Sequence, residues 1–230
     1  MRLHRFYLDQ KIERGREIRI DNQNLLHQWM KVFRYSSGDR VIIFNGDGFE
    51  FESVFKILSR NEAVVIPEYS RKIKGVTKVE LHLFPAIIKK DNFEFVVEKC
   101  TELGVKAFHP IISDRSEKKD LNMERLKKIS MEASEQSGRA DLPLIFELTD
   151  IETALKSFDG KVFALDFVKQ KFPSKVGSKK IGILIGPEGG WSEREISLFK
   201  KLGIKSFSLG DRVLRAETAS IAIGSLILLK

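Results

Sequence analysis

Two glycine-bearing segments near the carboxyl end of the chain most constrain its fold. They read IGPEGGWS at 185–192 and LGDRVLRAETA at 209–219, and each follows an apolar run that is typical of a buried strand. Glycine lets the backbone adopt positive φ and approach a ligand closely, while Pro187 removes a donor and stiffens the first turn. The segments therefore predict two strand ends that converge on one ligand.

The spacing of the first segment argues against a phosphate-binding loop. A Walker loop requires Gly-Lys-Ser/Thr after its fourth variable residue, and the dinucleotide fingerprint requires G-x-G-x-x-G at the start of a helix. The segment reads G-x-x-G-G-W-S instead, and Glu188 would repel a polyphosphate. A nucleoside or sulfonium ligand without phosphates fits this loop better.

A purely structural interpretation of the same residues also exists. The pair Gly189-Gly190 would then only turn the chain into a helix that Ser192 and Glu195 begin as a capping box. The second segment favours a ligand, because it places charges between an apolar strand and a helix at 218–229 whose apolar content requires burial. Charged side chains at the start of a buried helix usually pair with one another or bind a ligand.

Composition indicates a folded protein and gives a first indication of its partner and its compartment. The 230 residues are 42% hydrophobic, which is ordinary for one large folded domain or two modest ones. Lys and Arg outnumber Asp and Glu by 40 to 32, which predicts a polyanionic partner without separating nucleic acid from a membrane surface. A single cysteine, Cys100, cannot form an internal disulfide and favours a cytoplasmic protein.

The ends of the chain and its Cys and His residues exclude further classes. The N-terminus has no apolar leader, and the apolar tail at 221–229 is too short to span a bilayer. No Cys/His spacing resembles a zinc site, so no metal is expected.

Residues 1–72 are predicted to form a small β-barrel domain. Strands are expected at 40–44, 49–58 and 63–67, with a hairpin turn at 45–48 and one amphipathic helix capped by Asp21. Apolar periodicity stops at 70–75, where we place a linker.

Residues 73–230 are predicted to form an α/β domain with a parallel sheet, because strands and helices alternate. Gly104 is expected to end the first helix, on whose apolar face Cys100 would lie as a core residue. The expected strands lie at 79–86, 107–112, 143–148, 161–166 and 180–185, and further helices at 121–138 and 151–158.

The two glycine-bearing segments, in this order and spacing, resemble the signature of the bacterial 16S rRNA uridine-N3 methyltransferase family. That family belongs to the trefoil-knotted SPOUT class. His27, Val32 and Arg34 also match the family pattern H-x4-V-x-R, although phenylalanine stands at 33 where leucine is expected. The resemblance implies a knotted C-terminal α/β domain and a PUA-like RNA-binding barrel at the N-terminus.

The resemblance also implies an activity and its partners. S-adenosylmethionine would donate a methyl group to N3 of a uridine in 16S rRNA, within the assembled small ribosomal subunit, and the enzyme would be a homodimer. Arg215 would stabilise the negative charge left on uracil when N3 loses its proton, and Glu217 would orient Arg215 or accept that proton.

The remaining site residues are expectations from the same resemblance. The expected cofactor-binding residues are Leu165, Ile185, Gly186, Pro187, Glu188, Gly189, Gly190, Leu209, Gly210, Val213, Leu214, Thr218 and Ala219. The expected RNA contacts are Arg2, His4, Arg5, Arg34, Lys89, Lys99, Arg115, Arg139 and Arg212.

Several alternatives stay open at the level of sequence. The terminal basic residues would also suit a frayed edge strand, and the basic residues on helices would suit a solvated face. A knotted RNA methyltransferase acting on a ribose 2′-OH and a non-catalytic RNA-binding dimer are the alternative functions. A nucleotide-phosphate enzyme is disfavoured by the missing Gly-Lys-Ser/Thr.

Overall fold

A computed structural model describes residues 3–73, 78–116, 120–173 and 176–229. The chain divides into two compact units: Met1–Gly75 with Ser134–Asp141, and Val76–Ala133 with Leu142–Lys230. No pattern in the sequence indicated that the short segment 134–141 groups with the first unit. The domain boundary after residue 72 stays a prediction.

The first unit contains a five-stranded sheet with the order β1-β3-β4-β5-β2. Its strands are β1 (Arg5–Tyr7), β2 (Ile18–Ile20), β3 (Arg40–Phe44), β4 (Phe49–Leu58) and β5 (Ala63–Lys72). Strand β1 pairs with β3 in parallel, and the other pairs are antiparallel, which confirms the predicted β3–β4 hairpin. Register shifts at Glu52/Ser53 and Phe55/Ile57 bend β4 and curl the sheet.

A short helical segment packs against the sheet of the first unit. Helix α1 (Gln23–His27) continues as a π-helical turn at Gln28–Val32. The residue that caps α1 is Asn22 and not the predicted Asp21, because the Asn22 side chain accepts hydrogen bonds from two backbone N–H groups of the first turn. The apolar face is buried as predicted, with Trp29 packed edge-on against Phe6 and Phe55.

Strand β5 overturns the predicted start of the linker. Its pairing with β4 continues to Lys72. Residues 70–72, which were predicted to be part of the linker, therefore belong to the strand. The remainder of the predicted linker, from residue 74 onward, lies outside the described residues.

The second unit is built on a six-stranded sheet with the order β13-β11-β12-β6-β7-β9. Its strands are β6 (Glu80–Pro85), β7 (Ala107–Phe108), β9 (Leu144–Ile145), β11 (Lys161–Leu165), β12 (Lys180–Ile185) and β13 (Lys205–Phe207). Every pair is parallel, as predicted. Strands β8 (Ile111–Ile112) and β10 (Thr149–Asp150) form a separate parallel pair.

Two predicted strands are therefore too long. The strand expected at 107–112 is split into β7 and β8, and Pro110 lies at the break because it has no N–H to donate to a ladder. The strand expected at 143–148 is reduced to β9.

Besides α1, the described residues form α2 (Lys90–Leu103), α3 (Met123–Ser137), α4 (Ile151–Lys156), α5 (Glu193–Lys201) and α6 (Ala216–Leu228). Helix α2 ends at Gly104, which has a φ of 100°, as predicted. Cys100 is fully buried, and this burial raises the pKa of its thiol to about 12, which fits the predicted core residue. Among the described residues, no helix is both long and apolar enough to cross a membrane.

Candidate functional site

A cavity of about 270 Å³ lies at the carboxyl ends of three adjacent parallel strands, β11, β12 and β13. Its lining comes from the segment after β11, the glycine loop at 186–190 after β12, and the arginine segment at 209–219 after β13. Open parallel sheets bind ligands outside the carboxyl ends of their strands. The predicted convergence of the two glycine-bearing segments is confirmed, and we call this space the strand-end cavity.

Most of the expected cofactor residues line the strand-end cavity. Those that do are Leu165, Ile185, Gly186, Pro187, Glu188, Gly190, Leu209, Val213, Leu214 and Ala219. Gly189, Gly210 and Thr218 are not part of the lining. Of the two expected catalytic residues, Arg215 lines the cavity and Glu217 does not.

The glycine loop is shaped by its own backbone and by Trp191. Gly190 has a φ of 68°, and its N–H donates to the Pro187 carbonyl at 2.9 Å. A Cβ at Gly186 would lie only 3.1 Å from the Trp191 indole, so glycine lets that ring pack against the loop. The indole N–H donates to the Leu165 carbonyl at 2.9 Å, which links the loop to the end of β11.

The arginine segment brings exposed cationic side chains to the cavity. Arg212 and Arg215 both line it and are exposed. Arg215 is also the residue before α6, and its carbonyl accepts the Ala219 N–H at 2.8 Å. An ion pair of 2.9 Å between Lys171 and Asp211 joins this segment to the loop after β11.

Glu217 lies in the first turn of α6, outside the lining. Its side chain is partly buried, and its Oε2 has no hydrogen-bond partner among the described residues. The roles expected for Glu217 stay predictions.

The lining also contains residues that were not predicted from the sequence, namely Asp166, Phe167, Trp191, Phe207, Ser208 and Ala216. Asp166 and Phe167 directly follow the apolar run of β11, so the rule that ligands bind beyond strand ends could have identified them. Phe167 is 63% exposed although it lines a cavity.

In the first unit, His4 and Arg34 are accessible, whereas Arg2 lies outside the described residues. The His4 ring lies 4.3 Å from that of Phe33, and its Nδ1 is 2.5 Å from the Tyr35 hydroxyl. Arg34 has a φ of 58°, which is uncommon for a residue with a side chain.

The structure contradicts the prediction that Arg5 contacts RNA. Its side chain is only 8% exposed, forms an ion pair with the buried Glu50, and donates to the Arg139 carbonyl at 3.1 Å. Phosphate cannot reach a guanidinium that is buried and paired in this way. Arg139 is similarly enclosed: its side chain is 10% exposed and pairs with Asp141 at 3.0 Å.

The basic residues of the second unit differ in their surroundings. Lys89 is exposed at the start of α2, whereas the Lys99 ammonium pairs with Glu98 at 2.7 Å and Glu102 at 2.9 Å. The Arg115 guanidinium donates to the Gly189 carbonyl at 2.7 Å, which directs it to the glycine loop. Within the described ranges, no group of three or more His, Cys, Asp or Glu side chains is arranged to hold a metal ion.

Comparisons with known proteins place this geometry in a family. The family model described as an RNA methyltransferase domain matches residues 76–228, and the one described as an RNA methyltransferase PUA domain matches residues 30–68. The ribosomal RNA small subunit methyltransferase E of Rickettsia conorii shares 32% identity across 96% of this chain and 93% of its own length. The chain belongs to the ribosomal RNA small subunit methyltransferase E family.

Solved structures of methyltransferases have a fold similar to that of this chain. A methyltransferase from Legionella pneumophila, in complex with the cofactor SAM, has a TM-score of 0.90 and 27% identity over 99% of this chain and 97% of that one. The ribosomal RNA small subunit methyltransferase E of Neisseria gonorrhoeae, bound to S-adenosyl methionine, has a TM-score of 0.88 and 25% identity over 97% and 96%. The methyltransferase E family therefore accounts for both units: a PUA-like curled sheet and a SPOUT-type parallel α/β domain.

Proposed function

We propose that this chain transfers the methyl group of S-adenosylmethionine to N3 of a uridine in 16S rRNA within the assembled small ribosomal subunit. The observation that carries the proposal is the meeting of the glycine loop and the arginine segment at one cavity beyond β11, β12 and β13. Two solved relatives with the same fold contain this methyl donor. We further propose that the enzyme is a cytoplasmic homodimer.

The chemistry of the strand-end cavity fits this donor. Apolar side chains such as Leu165, Ile185 and Leu209 suit an adenosine, and the glycine loop lets the backbone approach it closely. Glu188 brings a carboxylate to the lining, which favours a cation over a polyphosphate. When bound, S-adenosylmethionine supplies a methyl group on a positively charged sulfur.

The protein then has to align the acceptor and manage one proton. The N3–H bond of uracil is replaced by N3–CH₃, the sulfur–methyl bond breaks, and the proton leaves. N3 lies on the pairing edge of the base, so the target uridine must be unpaired or extruded. Alignment of the reacting atoms alone can lower the barrier by about 7 to 11 kcal/mol.

Arg215 is the residue to which we assign stabilisation of the uracil anion. Its exposed side chain lines the cavity, at the junction of the arginine segment and α6. A cation held there attracts the charge that develops as N3 loses its proton. The proton passes to water or to Glu217, whose carboxylate lies outside the lining.

The proposed RNA contacts are the accessible basic residues among those that the sequence predicted. His4 and Arg34 would serve in the first unit, and Lys89 and Arg212 in the second. Lys99 would serve only after exchanging its carboxylate partners for phosphate.

Labelled methyl transfer tests the proposed function. The purified protein is incubated with labelled S-adenosylmethionine and either small subunits or naked 16S rRNA, and the product nucleosides are resolved by mass spectrometry. We expect 3-methyluridine from the small subunits. A methyl group on ribose would instead establish the 2′-OH alternative, and RNA binding without any transfer would establish the non-catalytic one.

Arg215→Ala tests the assigned role. We expect the single-turnover rate constant of methyl transfer to fall by about 100-fold, because loss of one group that stabilises developing charge typically has an effect of this size. Single-turnover methylation measures the change, and Arg60→Ala, an exposed arginine of the first unit, is the control. Equal rates for the two variants would remove Arg215 from the reaction.

A further inference from the structure

The segment after β8 contacts the glycine loop, although the two lie far apart in the sequence. Arg115 Nη1 donates to the Gly189 carbonyl at 2.7 Å. A Cβ built on Gly189 would lie 3.4 Å from both Cβ and Cδ of Arg115. Gly189 therefore faces Arg115, which accounts for its absence from the lining of the strand-end cavity.

A buried carboxylate reinforces this contact. Glu195 is 0% exposed, and its two oxygens accept the Ser192 N–H at 2.8 Å and the Asp114 N–H at 3.0 Å. A buried carboxylate must be hydrogen-bonded, so its position fixes both backbone groups. The Glu195 side chain thus joins the segment after β8 to the residues that follow the glycine loop.

The Asp114 side chain adds a second connection to the same turn. Its carboxylate accepts the Ser192 hydroxyl at 2.5 Å and pairs with Arg194 through Nε at 3.0 Å. Hydrogen bonds from Arg194 and Ser192 hold the pKa of Asp114 below its usual range, so this carboxylate stays ionised at lower pH than a free aspartate does.

These contacts matter because a glycine-rich loop is costly to order. Backbone freedom at Gly186, Gly189 and Gly190 must be lost when a ligand binds, unless the loop is already held in place. Contacts that order a loop in advance increase affinity by removing part of this cost.

We propose that Asp114 and Arg115 are positioning residues that preorganise the glycine loop for the methyl donor. Arg115 then acts through the Gly189 carbonyl. The sequence analysis had instead predicted that Arg115 contacts RNA. The identity of the ligand rests on the proposed function, whereas ordering of the loop does not.

Hydrogen exchange of the donor-free protein tests the ordering of the loop. Arg115→Ala is compared with wild type and with Arg125→Ala, which removes an exposed arginine of the same unit that pairs with Glu94 at 3.3 Å. We expect faster exchange of the amides at 186 and 188–192 in Arg115→Ala only. Exchange equal to wild type in that variant would overturn the proposal, whether or not the protein binds S-adenosylmethionine.

Calorimetry with S-adenosylmethionine tests the consequence for binding. We expect Arg115→Ala to raise the Kd about tenfold, the size of effect that loss of a charged hydrogen bond produces, with Asp114→Ala changing it in the same direction. At saturating donor, kcat should stay within about twofold of wild type, and the salt dependence of RNA binding should not change.

The opposite pattern identifies an RNA contact. If Arg115→Ala leaves the donor Kd unchanged and lowers the salt slope of RNA binding by about one, Arg115 binds phosphate and the proposal is overturned. A wild-type protein that binds no donor would refute the proposed function, while the hydrogen-exchange result would still decide the ordering of the loop.

Discussion

At the scale of single residues, the clearest lesson comes from charges that the fold buries. Glu50 is 4% exposed and forms ion pairs with both Arg5 and Arg71. In the sequence Arg5 stands among other basic residues at the N-terminus, which favoured an RNA contact. Its partner is 45 residues away on β4, and no local pattern indicates such a pairing.

Arg5→Ala is expected to destabilise the first unit. It removes the buried partner of Glu50 and leaves that carboxylate with the exposed Arg71 alone, so we expect the free energy of unfolding to fall by about 3 kcal/mol. Urea denaturation measures this loss, with Arg60→Ala as the control that removes an exposed arginine. Equal midpoints for the two variants would show that the pair contributes nothing to stability.

At the scale of elements, β12 shows what sequence patterns predict well. Its bounds, Lys180–Ile185, are those predicted, because a continuous apolar run ends at a glycine loop. The capping box of Ser192 and Glu195 is confirmed for a similar reason, since capping depends on residues three positions apart. Strands β7 and β8 were predicted as one, because apolar residues flank the break on both sides and only Pro110 marked it.

Gly182→Ala tests why this strand carries a glycine. A Cβ at 182 would lie 2.8 Å from Phe158 Cε1 and 2.9 Å from Phe84 Cε2, so a methyl group overpacks the sheet. We expect the free energy of unfolding to fall by about 1 to 3 kcal/mol. Thermal unfolding measures the change, and Gly177→Ala is the control, since no atom lies within 4 Å of a Cβ at that position. A Gly182→Ala protein as stable as the control would show that the rings move aside freely.

At the scale of the molecule, the site depends on strand order, which the sequence did not predict from its own patterns. Strand β11 precedes β12 and β13 in the chain but lies between them in the sheet. This order places Leu165 and Asp166 beside both later segments, so the first wall of the cavity comes from residues that no glycine pattern marked. The family resemblance implied Leu165, but neighbouring Asp166 and Phe167 were missed. The knot and the homodimer implied by the same resemblance stay predictions.

The stability of the second unit should depend on pH through a buried histidine pair. His82 Nδ1 and His109 Nε2 are 2.9 Å apart, and the His109 ring stacks between Phe84 and Phe146 with centroid distances of 4.3 and 4.1 Å. Burial lowers the pKa of His109 to about 4, with further contributions from His82 and Lys180. Burial is also the main cause that lowers the pKa of His82, and the positive charges of Lys180 and Lys106 lower it further. The negative charges of Glu80 and Asp159 act in the opposite direction.

The direction of the pH effect follows from these lowered values. Between about pH 6.5 and pH 4 the unfolded chain binds a proton at His109 that the folded protein does not, so stability falls as the pH falls through this range. From pH 7 to pH 5 this one group should lower the free energy of unfolding by about 2 kcal/mol. Urea denaturation at both pH values measures the loss. His109→Gln should make that loss smaller, whereas His27→Gln, at an exposed position of the first unit, should not. If all three proteins lost the same stability, protonation of the buried pair would not be opposed by the fold, and the acid sensitivity would belong to the carboxylates.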